Sequence, residues 1–341
     1  MVRSFLTICA IVFALSIPCV WAETTITVCG FGGSYNKAIE DAIVKPFTQA
    51  TGIKVIVTAW PDYAKMVGQV KTGNIEWDIV EAEDRFYYRG IKDGIFERLD
   101  LKQISTKDFV EGSVLDYGVG FDYFSYLVAY STDKWPAGKG PKSVKDLWDV
   151  KAFPGPRTIK STAFGSLEPA LMADGVPRNK LYPLDVDRAL KKLSELKPHI
   201  RVHWKTGGQT QQIMKQKEAD LGYVSGGRMI ELFEQGVPVA WEWTDQLVLL
   251  DRWAILKGTK KSKEAMQFIA FASQPKMQAD FAHFTNYGPA NKKAYDFIKK
   301  EKAVLLPTYP ENYAKAAIMN GEWYGKYEEE VERRWEAWKM Q

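Results

Sequence analysis

The residues best suited to chemistry in this chain are charged and aromatic rather than nucleophilic. Asp251, Glu83 and Asp84 supply carboxylates at predicted strand ends, and Trp60, Phe31 and Tyr35 supply rings. Such a set fits a cationic solute, because a desolvated ammonium must be paired with a carboxylate or stacked on an aromatic face. A second set fits an anion: Arg85 and Arg228 carry guanidinium forks, while Ser34, Thr162 and Gly227 stand at predicted helix starts with free N–H groups. Ser225 and Arg228 flank a glycine turn that lets a ligand approach the backbone closely. Gly33 and Phe164 complete the candidates, in the loops Phe31–Tyr35 and Ser161–Ser166.

Other chemistries find less support. The chain has three histidines, no G-x-S-x-G elbow and no nucleophile–base pair to which roles can be given, so it does not read as an enzyme. His199 and His203 are four apart, but Pro198 and the alternation His-Ile-Arg-Val-His argue for a strand, and no third metal ligand accompanies them. Gly30 and Gly32 begin a dinucleotide fingerprint, yet Tyr35 stands where its third glycine belongs. No cofactor is expected. A net charge of +4 creates no field that demands nucleic acid.

Positioning these groups requires an alternating α/β chain. Thr25–Cys29 is a β-branched run suited to a buried strand. The glycine turn follows, then a helix with Ser34 as expected N-cap, which Pro46 bends or restarts before Gly52 ends it. Ile53–Val57 is the second strand, completing one βαβ unit whose loop lies where open α/β sheets bind ligands. Trp77–Val80 is a third strand running into Glu81–Arg85, and Tyr117–Tyr130 a long one. Strands at Arg157–Lys160, His199–Trp204 and Asp220–Ser225 alternate with helices as a second α/β unit. Val248–Leu256 is a further strand, followed by helices at 262–273 and 275–284, and Tyr309–Lys339 reads as helices. With 341 residues the chain suits two domains.

The first 22 residues read as a secretory signal: Arg3, an apolar stretch from Phe5 to Ile17, and Ala22 before a cleavage at Glu23. Pro18 makes Cys19 a poor lipoprotein site. Cleavage leaves Cys29 alone in a predicted buried strand, a core residue without a disulfide partner.

The chain resembles the periplasmic solute-binding proteins of ABC importers, in the cluster containing the spermidine/putrescine-binding proteins. The resemblance rests on Thr51-Gly52-Ile53-Lys54-Val55, Trp77-Asp78-Ile79-Val80, Leu127 to Asp133, Asp251 to Ile255 and Lys263 to Ile269, in that order. It implies a two-lobed periplasmic-binding-protein-like α/β fold of type II, joined by strand crossovers near Val128–Ser131 and Leu249–Asp251. Lobe one would hold residues 23–130 and 251–300, lobe two 131–250, with C-terminal helices at 301–341 packing across both. It further implies a periplasmic monomer that closes on a small solute and delivers it to a membrane permease. Asp251 matches the aspartate that grips an ammonium in polyamine binders. Leu249 replaces a neighbouring aromatic, the Ser161–Ser166 loop has no acid, and Ser225 and Arg85 stand where a tryptophan and a tyrosine are usual. The expected ligand is therefore polyamine-like or another cationic amine. The alternatives are a small carboxylate held by Arg228 and Arg85, a ferric ion, or a secreted enzyme. Ferric binders of this kind use adjacent tyrosines, but Tyr87-Tyr88 lie in the first-lobe segment instead.

Overall fold

The computed structural model describes residues 24–341, so the expected leader lies outside the described residues. Eleven described strands form one sheet: β1 Thr25–Gly30, β2 Lys54–Ala59, β3 Ile79–Glu83, β4 Val114–Leu115, β5 Gly118–Ser131, β6 Arg157–Lys160, β7 Ile200–Trp204, β8 Leu221–Ser225, β9 Val239–Ile255, β10 Gly288–Pro289 and β11 Ala317–Ile318. The spatial order is β2-β1-β3-β9-β5-β8-β6-β7, with β4 and β10 on β5 and β11 on β9. β1 pairs in parallel with β2 and β3, and β6 with β7 and β8. These are the two α/β units. Antiparallel pairing of β9 with β3 and β5, and of β5 with β8, joins them.

The two long strands belong to both lobes. Val119, Phe121 and Tyr123 of β5 pack with Val248, Leu250 and Trp253 of β9 and with Ile26 and Val28 of β1. Tyr126 to Tyr130 pack instead with Leu247 and Leu249, Leu221, Val224 and Ile159. Tyr123 lies opposite Leu250 and Tyr126 opposite Leu247, so both strands change cores at one level. A smaller cluster of Val80, Ala82, Met66, Trp77, Tyr87 and Phe96 covers the other face of the first lobe.

Several local expectations need correction. The first helix, Gly33–Ile39, is capped by Gly32 and not by Ser34. Gly32 takes φ 84°, which favours glycine, and its N–H donates to the Asn36 side chain at 2.8 Å. Before Pro46 the helix widens into a π turn, Glu40–Val44, and resumes as Lys45–Thr51; a proline supplies no N–H to continue the α ladder. β9 starts at Val239, nine residues before its expected start. Its pairing with β5 shifts register between Tyr126 and Val128, and Asp245 takes φ 60°. This irregularity masks the strand in the sequence. The C-terminal segment is not all helical: β11 pairs in parallel with Leu247 and Val248 between helices Pro310–Tyr313 and Gly321–Lys339.

Candidate ligand site at the lobe junction

Three adjacent strands each deliver one carboxyl to the junction. Glu81 comes from β3, Asp251 from β9 and Asp122 from β5; Asp122 stands directly opposite Asp251, and Asp251 opposite Glu83. All three are almost wholly buried, at 0%, 2% and 1% exposure. The first helix brings Tyr35 to them, its oxygen 2.6 Å from Asp122 Oδ2 and also bonded to Glu81. A phenol has a single proton to donate, so Tyr35 does not fully satisfy both carboxylates, and a proton held on the Glu81–Asp122 pair relieves the shortage. Burial raises the pKa of Glu81 and Asp251, with the Asp122 charge adding to both. Burial likewise raises Asp122 to about 7. Glu81 Oε2, Asp122 Oδ1 and Asp251 Oδ1 have no hydrogen-bond partner among the described residues, and neither does Ser125 Oγ.

An aromatic wall leads away from this cluster. Tyr35 lies 5.8 Å from Tyr287, Tyr287 6.0 Å from Phe124, and Phe124 5.7 Å from Tyr126, measured between ring centroids. Tyr126 meets Trp204 at 5.2 Å. At this far end Lys160, the last residue of β6, donates to the Tyr126 hydroxyl at 2.8 Å.

The candidates named from sequence divide between this site and other places. Tyr35 and Asp251 are in the acid cluster, and Phe31 packs edge-on against Tyr35 at 5.4 Å. Gly33 and Ser34 form the start of the same helix. Ser34 Oγ meets Arg228 Nη1 at 3.5 Å, but Arg228 is held by Glu231 at 2.8 Å. Ser225 ends β8 opposite Tyr126. Phe164 is buried between the Arg85 guanidinium and the Lys160 ammonium, 4.2 and 4.7 Å from its ring. Thr162 Oγ1 donates to the Phe164 carbonyl and so braces that loop. Glu83 is bound to Arg85, and Arg85 also to Glu328. Trp60 is 67% exposed beside the glycine loop, with φ 66°. Asp84 turns the other way. It accepts from Arg252 at 2.6 Å and lines, with Tyr88 and Tyr123, a cavity of about 660 Å³; Arg252 follows Asp251 in the strand and therefore faces the opposite side of the sheet.

Residues 42–308 match the family of bacterial extracellular solute-binding proteins. The chain belongs to that family. The solute-binding proteins it resembles include a gamma-aminobutyric acid-binding protein of Pseudomonas aeruginosa, 36% identical over 92% of this chain and 90% of that protein. A spermidine/putrescine-binding periplasmic protein of Escherichia coli is 22% identical over 85% of this chain and 84% of its own length. A solved GABA receptor structure superposes with a TM-score of 0.87 at 34% identity, covering 93% of this chain and 98% of that one. The two-lobed α/β fold and the role of substrate-binding protein of an ABC transporter follow from this membership.

Reading the sequence missed much of this solute-binding protein's candidate site: Glu81, Asp122, Phe124, Tyr126, Lys160, Trp204 and Tyr287. Asp122 did leave a signal, since it is the one charged residue in the strand GVGFDYFSYLVAYS, and a charge in a central strand demands a partner. Glu81 lies two residues before Glu83 and so shares its face.

Proposed function

We propose that this solute-binding protein captures a small organic solute bearing a primary ammonium and delivers it to the permease of an ABC importer. One observation carries the reading. Three buried carboxylate oxygens, on Glu81, Asp122 and Asp251, lack partners among the described residues, and an ammonium brings three N–H donors and one positive charge. The cluster is uncomfortable when empty, because buried carboxyls without counter-charge are costly, and an ammonium relieves both the charge and the missing hydrogen bonds. The named ligands of the relatives, gamma-aminobutyric acid, spermidine and putrescine, all carry such a group. A simple carboxylate is the poorer fit, since Arg85 holds Glu83 and Glu328 and Arg228 already holds Glu231, although the Arg228 Nε lacks a partner among the described residues.

The remaining assignments support this role. Lobes at 23–130 with 251–300 and at 131–250 would close over the site by bending where β5 and β9 change cores. Removal of a leader at residue 22 would place the mature monomer in the periplasm, as in the periplasmic relatives. Isothermal titration with putrescine, 4-aminobutyrate, a betaine and a dicarboxylate tests the ligand class. Binding of a primary amine is expected; binding of the dicarboxylate alone would overturn it.

A further inference from the structure

We infer that Lys160 is the anchor for a ligand carboxylate, so that the solute is an ω-amino acid stretched between the acid cluster and this lysine. This rests on the amine reading above and adds the second pole. The Lys160 ammonium sits in a box of rings, 4.8 Å from Tyr126, 4.7 Å from Phe164 and 5.5 Å from Trp204. Its hydrogen bond among the described residues goes to the Tyr126 hydroxyl, which leaves two of its three donors without a partner there. Lys160 has no ion pair among the described residues. Glu83 is the carboxylate with the largest influence on it, but Glu83 is bound to Arg85. Arg85 and Arg228 both have carboxylate partners, although Arg228 keeps an unpartnered Nε, whereas Lys160 is the wall cation without a carboxylate partner among the described residues.

The geometry between the poles sets the ligand's form. Asp122 and Tyr126 lie on one face of β5, four residues apart, about 13 Å of strand. Between them the rings of Tyr35, Tyr287, Phe124 and Tyr126 make an unbroken wall. That wall offers apolar contact to a methylene spacer, with the tyrosine hydroxyls and the Arg228 guanidinium near Tyr287 as its polar groups. A diamine would bring its second ammonium against Lys160, a like-charge contact that disfavours it.

The test is titration of unbranched ω-amino acids of three to six carbons, their carboxamides and their N-acetyl derivatives against wild type, Lys160→Met and Lys160→Arg. Lys160→Met keeps the apolar stem, and thermal melts establish that it folds. Wild type should favour at least one acid over its amide by about 10- to 150-fold, the range for a hydrogen bond to a charged group. The ratio should fall to about one in Lys160→Met and persist in Lys160→Arg. An unchanged ratio in Lys160→Met, or no acid favoured over its amide in wild type, overturns the anchor. Should the Met variant not fold, the wild-type ratio and the Arg variant still decide. The amine reading fails separately, if N-acetylation leaves affinity unchanged.

Discussion

At the scale of single residues, the chemistry lies in protons shared among Tyr35, Glu81, Asp122 and Asp251. A carboxyl whose pKa is higher in the folded than in the unfolded chain binds protons more tightly when folded. The stability it contributes is complete below its unfolded pKa, about 4, and is lost as pH rises through the folded value, which for Asp122 is about 7. The unliganded protein should therefore lose melting temperature between about pH 5 and pH 8 more steeply than Asp122→Asn, and the variant should melt no lower than wild type at about pH 8. A steeper loss in the variant would show that the cluster is not strained. Ligand binding has the reverse dependence, since protons compete with the ammonium for the same oxygens. Affinity should weaken as pH falls below about 7, and calorimetry at pH 6 in buffers of different ionisation enthalpy should show proton release. On the alkaline side, burial pulls Lys160 down to about 8, so binding of the acid must take up a proton above that pH and the acid-over-amide preference should fade.

The elements decide which residues meet. The β–α alternation is legible from β-branched runs, glycine turns and helical spacing, and Tyr35 could be named from it, while Asp251 stands out through the resemblance to polyamine binders. The partners of Asp251 could not, because they come from sheet order: β9 lies between β3 and β5, and no local pattern tells a strand its neighbours. Nor could Lys160, whose partners come from three separate segments. The C-terminal helix shows the same limit. Its Trp335 and Trp338 indoles donate to the Ser161 carbonyl and to Ser194 Oγ, each at 2.8 Å, in lobe two. Glu328 and Glu329 hold Arg85 and Arg89 of the first-lobe helix Asp84–Asp93. At its start Gly321 lies so close to that helix that an added Cβ would stand 2.6 Å from Asp84 Cβ and 2.7 Å from its backbone carbon. Gly321→Ala should thus destabilise the protein by about 1–3 kcal/mol through overpacking, read as a lower urea midpoint. An unchanged midpoint would mean that the helix can shift without cost.

At the scale of the molecule, β5, β9 and the segment leading into β11 each pass between the cores, and bending at Tyr123–Tyr126 and Leu247–Leu250 would bring the walls of the site together. A ligand that binds only the native protein raises its melting temperature by mass action. A saturating ω-amino acid should therefore raise the melting temperature and leave the radius of gyration in small-angle scattering no larger than that of the empty protein. The most direct test of the whole account is the affinity of 4-aminobutyrate for wild type and Asp251→Asn, measured by isothermal titration near neutral pH. Removing one charge from a buried pair costs about 3–5 kcal/mol, so the variant should bind on the order of 100-fold more weakly or worse, with its melting temperature unliganded no lower than that of wild type. Equal affinity of the two proteins for this ligand would contradict the account.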